Sequence, residues 1–158
     1  MTSATAARSP GVGDLAPEFS ADSTAGAVTL TGLRARSPVL LAFFPLAFTS
    51  VCTTEMCEFR DDFDRYAKAG IIVLPISVDS VPTLKEFKAK HDLTIDLASD
   101  FRRDISRAYG VLNADKFFSE RAYFLIDRNG RIAWKHVEEH TGLKRSSEEI
   151  LAAVASKL

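Results

Sequence analysis

Residues 39–62 read VLLAFFPLAFTSVCTTEMCEFRDD. The run Val39–Phe44 is continuously apolar and bounded by Pro38 and Pro45, so it predicts a strand buried on both faces, as in a sheet with helices on each side. Thr49 or Ser50 can cap a helix expected to run to about Lys68, with Gly70 ending it. Met56, Phe59, Phe63 and Tyr66 recur in it at helical spacing, and Glu58, Arg60, Asp61 and Asp64 stand between them. Cys52 then falls in the first turn of this helix, at the carboxyl edge of the strand, where open α/β sheets place their sites.

Downstream, Ile71–Val78 (IIVLPISV) predicts the next buried strand, and its Pro75 suggests a bulge or irregular pairing. Ser80 opens a second helix through about His91, with Pro82 in its first turn. A short strand over Ile95–Ala98 and a brief helix over Arg103–Tyr109, closed by Gly110, follow. Arg121–Ile126 and Arg131–Val137 flank Asp127-Arg128-Asn129-Gly130, a hairpin turn signal. Ser146 and Glu149 have capping-box spacing at the head of a last helix that runs towards Leu158. Upstream, Val28–Leu30 predicts a short edge strand and Gly11–Phe19 an extended lead-in. Residues 1–10 read as a flexible tail, and residues 11–158 as one domain. The order is β-α-β-α, a helical connection, then β-β-α. A crossover helix between buried strands requires a parallel pair, and the hairpin adds an antiparallel part. The fold class is α/β: the thioredoxin arrangement, a mixed central sheet flanked by helices.

Composition narrows the possible functions. The chain has 158 residues, 46% hydrophobic and 26% charged, enough for a core without metal or disulfide staples. Twenty Lys and Arg against 21 Asp and Glu give a net charge of −1, which argues against a nucleic-acid partner. No run of 18 apolar residues exists, so no membrane span is expected. Met1–Ser9 lacks an apolar core, so a secretory leader is not expected and the expected compartment is cytoplasmic. Two cysteines five residues apart suggest a site, not a disulfide framework.

A helix start favours a thiolate at Cys52, because its unpaired N–H groups stabilise negative charge. The inert alternative is a small buried hydrophobe. Cys57 follows at i+5, which on a helix is ~500° of rotation and ~7.5 Å of rise, so the side chains do not face each other. Their Cα separation should exceed the ~7 Å limit for a disulfide, and a bond between them requires the first turns to unwind. Cys57 could instead be a packed residue beside Met56 and Phe59. His136 and His140 have a spacing that converges on a metal only in a helix. In a strand four residues span ~13 Å, so no zinc site is expected. A cysteine hydrolase needs a histidine beside Cys52, and none of His91, His136 and His140 can be placed there from the sequence. A dithiol–disulfide reductase normally carries C-x-x-C, not C-x4-C. A redox-sensing or scaffold domain could use the same pair without turnover.

Pro45-x3-Thr49-x2-Cys52 resembles the active-site signature of peroxiredoxins, thiol-dependent peroxidases. PLAFTSVC is similar to AhpE-like members, and Cys52-Thr-Thr-Glu-Met-Cys57 followed by Glu58-Phe59-Arg60-Asp61 is similar to the bacterioferritin-comigratory (PrxQ) group. Gly13-Asp14-x-Ala16-Pro17-x-Phe19, Ala108-Tyr109-Gly110-Val111 and Arg121–Asp127 (RAYFLID) match further blocks, so the likeness covers about Gly11 to the end. The resemblance implies a thioredoxin-like fold with an N-terminal extension and no cofactor. It implies that Cys52 is the peroxidatic cysteine, that Thr49 hydrogen-bonds thiolate and peroxide, and that Arg121 holds the thiolate and polarises the peroxide. Pro45 shields the site, and Glu55 orients the arginine. Cys57 is implied as the resolving cysteine, with a thioredoxin-like reductant; relatives include monomers and homodimers. No cysteine follows Cys57, unlike typical 2-Cys members, so an intersubunit disulfide of that kind is not expected.

Thiol acidity alone does not make such an enzyme. Lowering a cysteine pKa from ~8.5 to ~6 raises the thiolate fraction at pH 7 about 30-fold. The same change weakens intrinsic nucleophilicity about 13-fold, for a net gain of about twofold. The expected source of rate is therefore donors aimed at the breaking O–O bond.

Overall fold

The computed structural model describes residues 9–158, so most of the tail expected over residues 1–10 lies outside the described residues. The strands are β1 (Ser20–Ser23), β2 (Gly26–Thr29), β3 (Val39–Phe43), β4 (Ile72–Ser77), β5 (Ala98–Ser99), β6 (Leu112–Asn113), β7 (Phe118–Ser119), β8 (Ala122–Ile126) and β9 (Ile132–Val137). The helices are α1 (Leu30–Arg34), α2 (Ser50–Asp61), α3 (Phe63–Lys68), α4 (Val81–Lys90), α5 (Asp104–Ala108) and α6 (Ser147–Lys157). Seven strands form one mixed sheet in the order β9-β8-β3-β4-β5-β1-β2, and β6 and β7 pair separately as a small hairpin. β4 runs parallel to β3 and β5; the β3–β8, β8–β9, β5–β1 and β1–β2 pairs are antiparallel.

All five residues of β3 and all five of β8 are buried, as a strand covered on both faces demands. The pleat divides them. Leu40, Ala42 and Phe44 face Met56, Phe59, Tyr66, Leu84 and Phe87 from α2, α3 and α4. Val39, Leu41 and Phe43 face Leu30, Leu33, Ile105 and Tyr109 from the other side. Each such aliphatic or aromatic side chain, fully buried, contributes about 1.5–3 kcal/mol.

Several local outcomes differ from the expectations. The helix predicted to Lys68 is two helices, because Asp62 leaves the helical region at φ −98°, ψ 14°. No bulge interrupts β4 at Pro75: the β3–β4 register runs unbroken from Val39–Ile72 to Phe43–Ile76. Ile72 N donates to Pro38 O and Ile76 O accepts from Phe44 N, so even-numbered residues of β4 present their backbone to β3. Pro75 therefore directs its missing N–H to the other side, where β5 pairs only from Ile76 onward. The irregularity lies instead in β9, between Ile132 and Trp134. Strand β1, helix α1 and the β6–β7 hairpin are additions that the sequence pattern did not signal; Leu30, expected to end the edge strand, opens α1, and the short strand expected over Ile95–Ala98 lies at Ala98–Ser99.

Other signals are realised as expected. Gly130 closes the β8–β9 turn at φ +87°, its N–H donating to Asp127 O. Ser146 and Glu149 form a reciprocal capping box on α6. Among the described residues no helix is long and apolar enough to cross a membrane.

Candidate active site

β3 delivers the chain to the carboxyl edge of the sheet, where Pro45 is buried and the loop 45–49 leads into α2. Asp79, just beyond β4, ties this loop down. Its Oδ2 accepts from Ala47 N at 2.7 Å and from the Ser77 hydroxyl at 2.7 Å. Thr49 is exposed and occupies the N-cap of α2 with extended backbone, but its side chain makes no capping bond. Its hydroxyl donates to Leu46 O at 2.8 Å. The first-turn amides around Cys52 thus keep their positive field uncancelled by that oxygen.

Cys52 is 1% exposed, yet its sulfur is not lodged among apolar atoms alone. Arg121 Nη2 donates to Cys52 Sγ at 3.1 Å and to Thr141 O at 3.0 Å, while Nη1 donates to Glu55 Oε1 at 2.7 Å. Arg121 immediately precedes β8, next to β3 in the sheet, and Glu55 stands one helical turn beyond Cys52. Their side chains are 1% and 2% exposed, so both charges are withdrawn from water and depend on each other. The Tyr123 hydroxyl donates to Glu55 Oε2 and accepts from Arg145 N at 3.0 Å. Among the described residues, Arg121 Nε is buried with no acceptor.

The electrostatics follow from this burial. Desolvation pushes the Glu55 carboxyl above its ordinary range, against the pull of Arg121 and the Tyr123 hydroxyl. Desolvation acts against the Arg121 charge, but Glu55 and the Cys52 sulfur more than restore it and its pKa rises. Tyr123 is pushed far up by desolvation and by the Glu55 carboxylate, so it stays a protonated donor.

Of the residues singled out in the sequence, the fold joins Cys52, Arg121 and Glu55 by hydrogen bonds and buries Pro45 at the foot of the same loop. Cys57 is half-buried and a free thiol, as is Cys52, and the two are not at disulfide distance. Thr49 stands at the N-cap of α2, three residues before Cys52, and its hydroxyl points to Leu46 O. His136 lies in β9 with Nε2 3.1 Å from Glu138 Oε1, and His140 Nδ1 accepts from Gly142 N in the loop beyond. Tyr123, Asp79, Thr141 and Arg145 were missed. Tyr123 sat in plain view in RAYFLID, two residues after Arg121, and strand alternation puts both on one face. The others act from distant loops and carry no local signal.

Comparisons with known proteins give the family. The model of the AhpC/TSA family matches residues 12–135. Alkyl hydroperoxide reductase E of Mycobacterium tuberculosis is 37% identical over 131 residues, covering 81% of this chain and 86% of that protein. The putative peroxiredoxin bcp of Coxiella burnetii is 38% identical over 136 residues, covering 80% and 89%. The reduced 2-Cys peroxiredoxin of Plasmodium vivax superposes with a TM-score of 0.85 at 35% identity, over 91% of this chain and 80% of that one. The thioredoxin-like sheet and these relatives together define a thiol-based redox enzyme. The chain belongs to the AhpC/TSA family: it is a peroxiredoxin, a peroxidase acting on peroxides.

Proposed function

We propose that Cys52 is the peroxidatic nucleophile, that Cys57 resolves it within the same chain, and that a thioredoxin-like dithiol restores both. The Cys52 thiolate attacks one peroxide oxygen, the O–O bond breaks, and Cys52 becomes a sulfenic acid while the leaving oxygen takes a proton as water or alcohol. The Cys57 thiol then attacks the sulfenic sulfur, forming a Cys52–Cys57 disulfide and releasing water. A partner dithiol is oxidised as it reduces that bond, which suits a reducing, cytoplasmic compartment.

The observation that carries this reading is the Arg121 guanidinium on Cys52 Sγ at 3.1 Å, with Nε buried and unsatisfied beside it. The hydrogen bond stabilises the anion. The free N–H is a donor that a peroxide oxygen can satisfy as charge builds on it, which is where transition-state stabilisation of several kcal/mol arises. Glu55 and the Thr141 carbonyl fix the plane of the guanidinium. Thr49, whose hydroxyl proton goes to Leu46 O, keeps its lone pairs as acceptors for the peroxide O–H. Pro45 contributes shielding and no donor of its own.

Resolution requires α2 to unwind, because Cys57 stands five residues along the same helix. The absence of a Thr49 side-chain cap and the break at Asp62 lower the cost of that unwinding. The separation of the sulfurs equally favours a second reading, in which Cys57 stays packed and an external thiol resolves Cys52.

Intact mass after one equivalent of hydrogen peroxide separates the two. Loss of two hydrogens means the internal disulfide; gain of one oxygen means a persisting sulfenic acid and the one-cysteine reading. No change of mass, with peroxide unconsumed, overturns the role of Cys52 itself.

A further inference from the structure

We propose that a split in the sheet, whose lining does not include Cys52, is a binding site for a small monocarboxylate with an apolar body of about ten carbons. The split exists because β5 is only two residues long. It pairs with β4 at Ile76 and Ser77, leaving the first half of β4 without a neighbour on that side. Beyond β5 the chain closes the far wall, where Thr24 N donates to Leu97 O and Thr24 Oγ1 to Asp96 Oδ1. Between these walls lies a cavity of about 370 Å³.

Its buried lining is apolar apart from Ser23, whose hydroxyl donates to Gly26 O: Phe59 and Tyr66 come from the α2–α3 side, Val73 from β4 with Ile71 just before it, Ile95 from the far wall and Leu33 from α1. That volume is at the small end of ligand pockets, enough for a single aliphatic or aryl chain and too small for a nucleotide or a peptide helix. The mouth selects the head group. Asp96 lies there, but Lys88 Nζ at 2.7 Å already pairs it. Arg36, exposed at the opposite lip, has no acidic side chain within ion-pair distance among the described residues. The rim therefore carries one uncompensated positive charge over an apolar interior, and a carboxylate on an alkyl or aryl body complements both.

The test is titration of the full chain with sodium decanoate, decylammonium and decan-1-ol, followed by calorimetry and by amide NMR shifts. Decanoate is expected to bind saturably at one site, with shifts centred on Phe59, Tyr66, Val73 and Ile95. Decylammonium should bind at least about 10-fold more weakly. Arg36→Glu should weaken decanoate about 10-fold while leaving peroxide consumption unchanged, and Ala25→Trp, at the mouth, should block binding. Non-saturable binding, shifts elsewhere, equal binding of the cationic and anionic probes, or indifference to Arg36→Glu each overturns the proposal.

Discussion

Two cysteines share helix α2, five residues apart, and the fold treats them differently. Cys52 is 1% exposed, sits in the first turn and holds a guanidinium on its sulfur. Cys57 is half-buried and lies beyond the turn that carries Glu55 and Met56. The helix supplies the same backbone to both. What separates them is a charge pair completed from another part of the chain, with Arg121 66 positions from Glu55. The difference between the two sulfurs belongs to their tertiary neighbourhood, not to their being cysteines in a helix.

Four substitutions test that contrast. The largest effect is expected at Arg121. Arg121→Ala leaves the Glu55 carboxyl buried and unpaired, so chemical denaturation should show a loss of about 3–5 kcal/mol. Stopped-flow peroxide consumption should fall about 10²–10³-fold. Thiolate absorbance measured in parallel should account for little of that fall; a rate that simply tracks thiolate fraction removes the polarising role. Cys57→Ser probes the other sulfur. The first turnover should proceed at the wild-type rate, while thioredoxin-dependent cycling drops by at least about 10-fold and sulfenic acid persists or over-oxidises. Unchanged cycling would assign resolution to an external thiol.

Glu55→Gln sharpens the link between the regions through pH. Burial raises the Glu55 pKa, so between the ordinary carboxylate range and that raised value the folded state binds the extra proton. This group therefore favours folding as pH falls through the raised pKa and costs stability above it. Protonation also removes the anion that holds Arg121, so the rate should decline on the acid side at a pH where an exposed carboxylate is still ionised. Glu55→Gln should abolish that acid limb in a pH–rate profile and lower the plateau about 10-fold. The smallest effect is structural: Ser146→Ala deletes half of the α6 capping box and should cost about 1 kcal/mol, with peroxide chemistry unchanged. Any change in rate there would mean that the network through Arg145 N and Tyr123 reaches the thiol.

Most of the scaffold was legible because its signals are local. VLLAFF between prolines, the DRNG turn and the Ser146/Glu149 pair each specify their element within a few residues. Misreadings arose where a neighbour decides. Pro75 looks like a flaw until the length of β5 is known, and the helix predicted to Lys68 breaks at Asp62 although its apolar spacing continues. At the site, Cys52, Glu55 and Arg121 could be named from their motifs, but not the hydroxyl of Tyr123, the carbonyl of Thr141 or the tether of Asp79. Backbone carbonyls and loop carboxylates leave no pattern in composition or periodicity.

The amino-acid order alone determined the alternation of buried strands and amphipathic helices and set Cys52 at a helix start, because hydrophobic period and capping chemistry act over one or two turns. The three-dimensional structure alone decided that a guanidinium donates to Cys52, that its Nε finds no acceptor among the described residues, and that Cys57 stands apart from both. Those outcomes depend on electrostatics between groups far apart in the chain. Such forces become strong only once folding has removed the water between them.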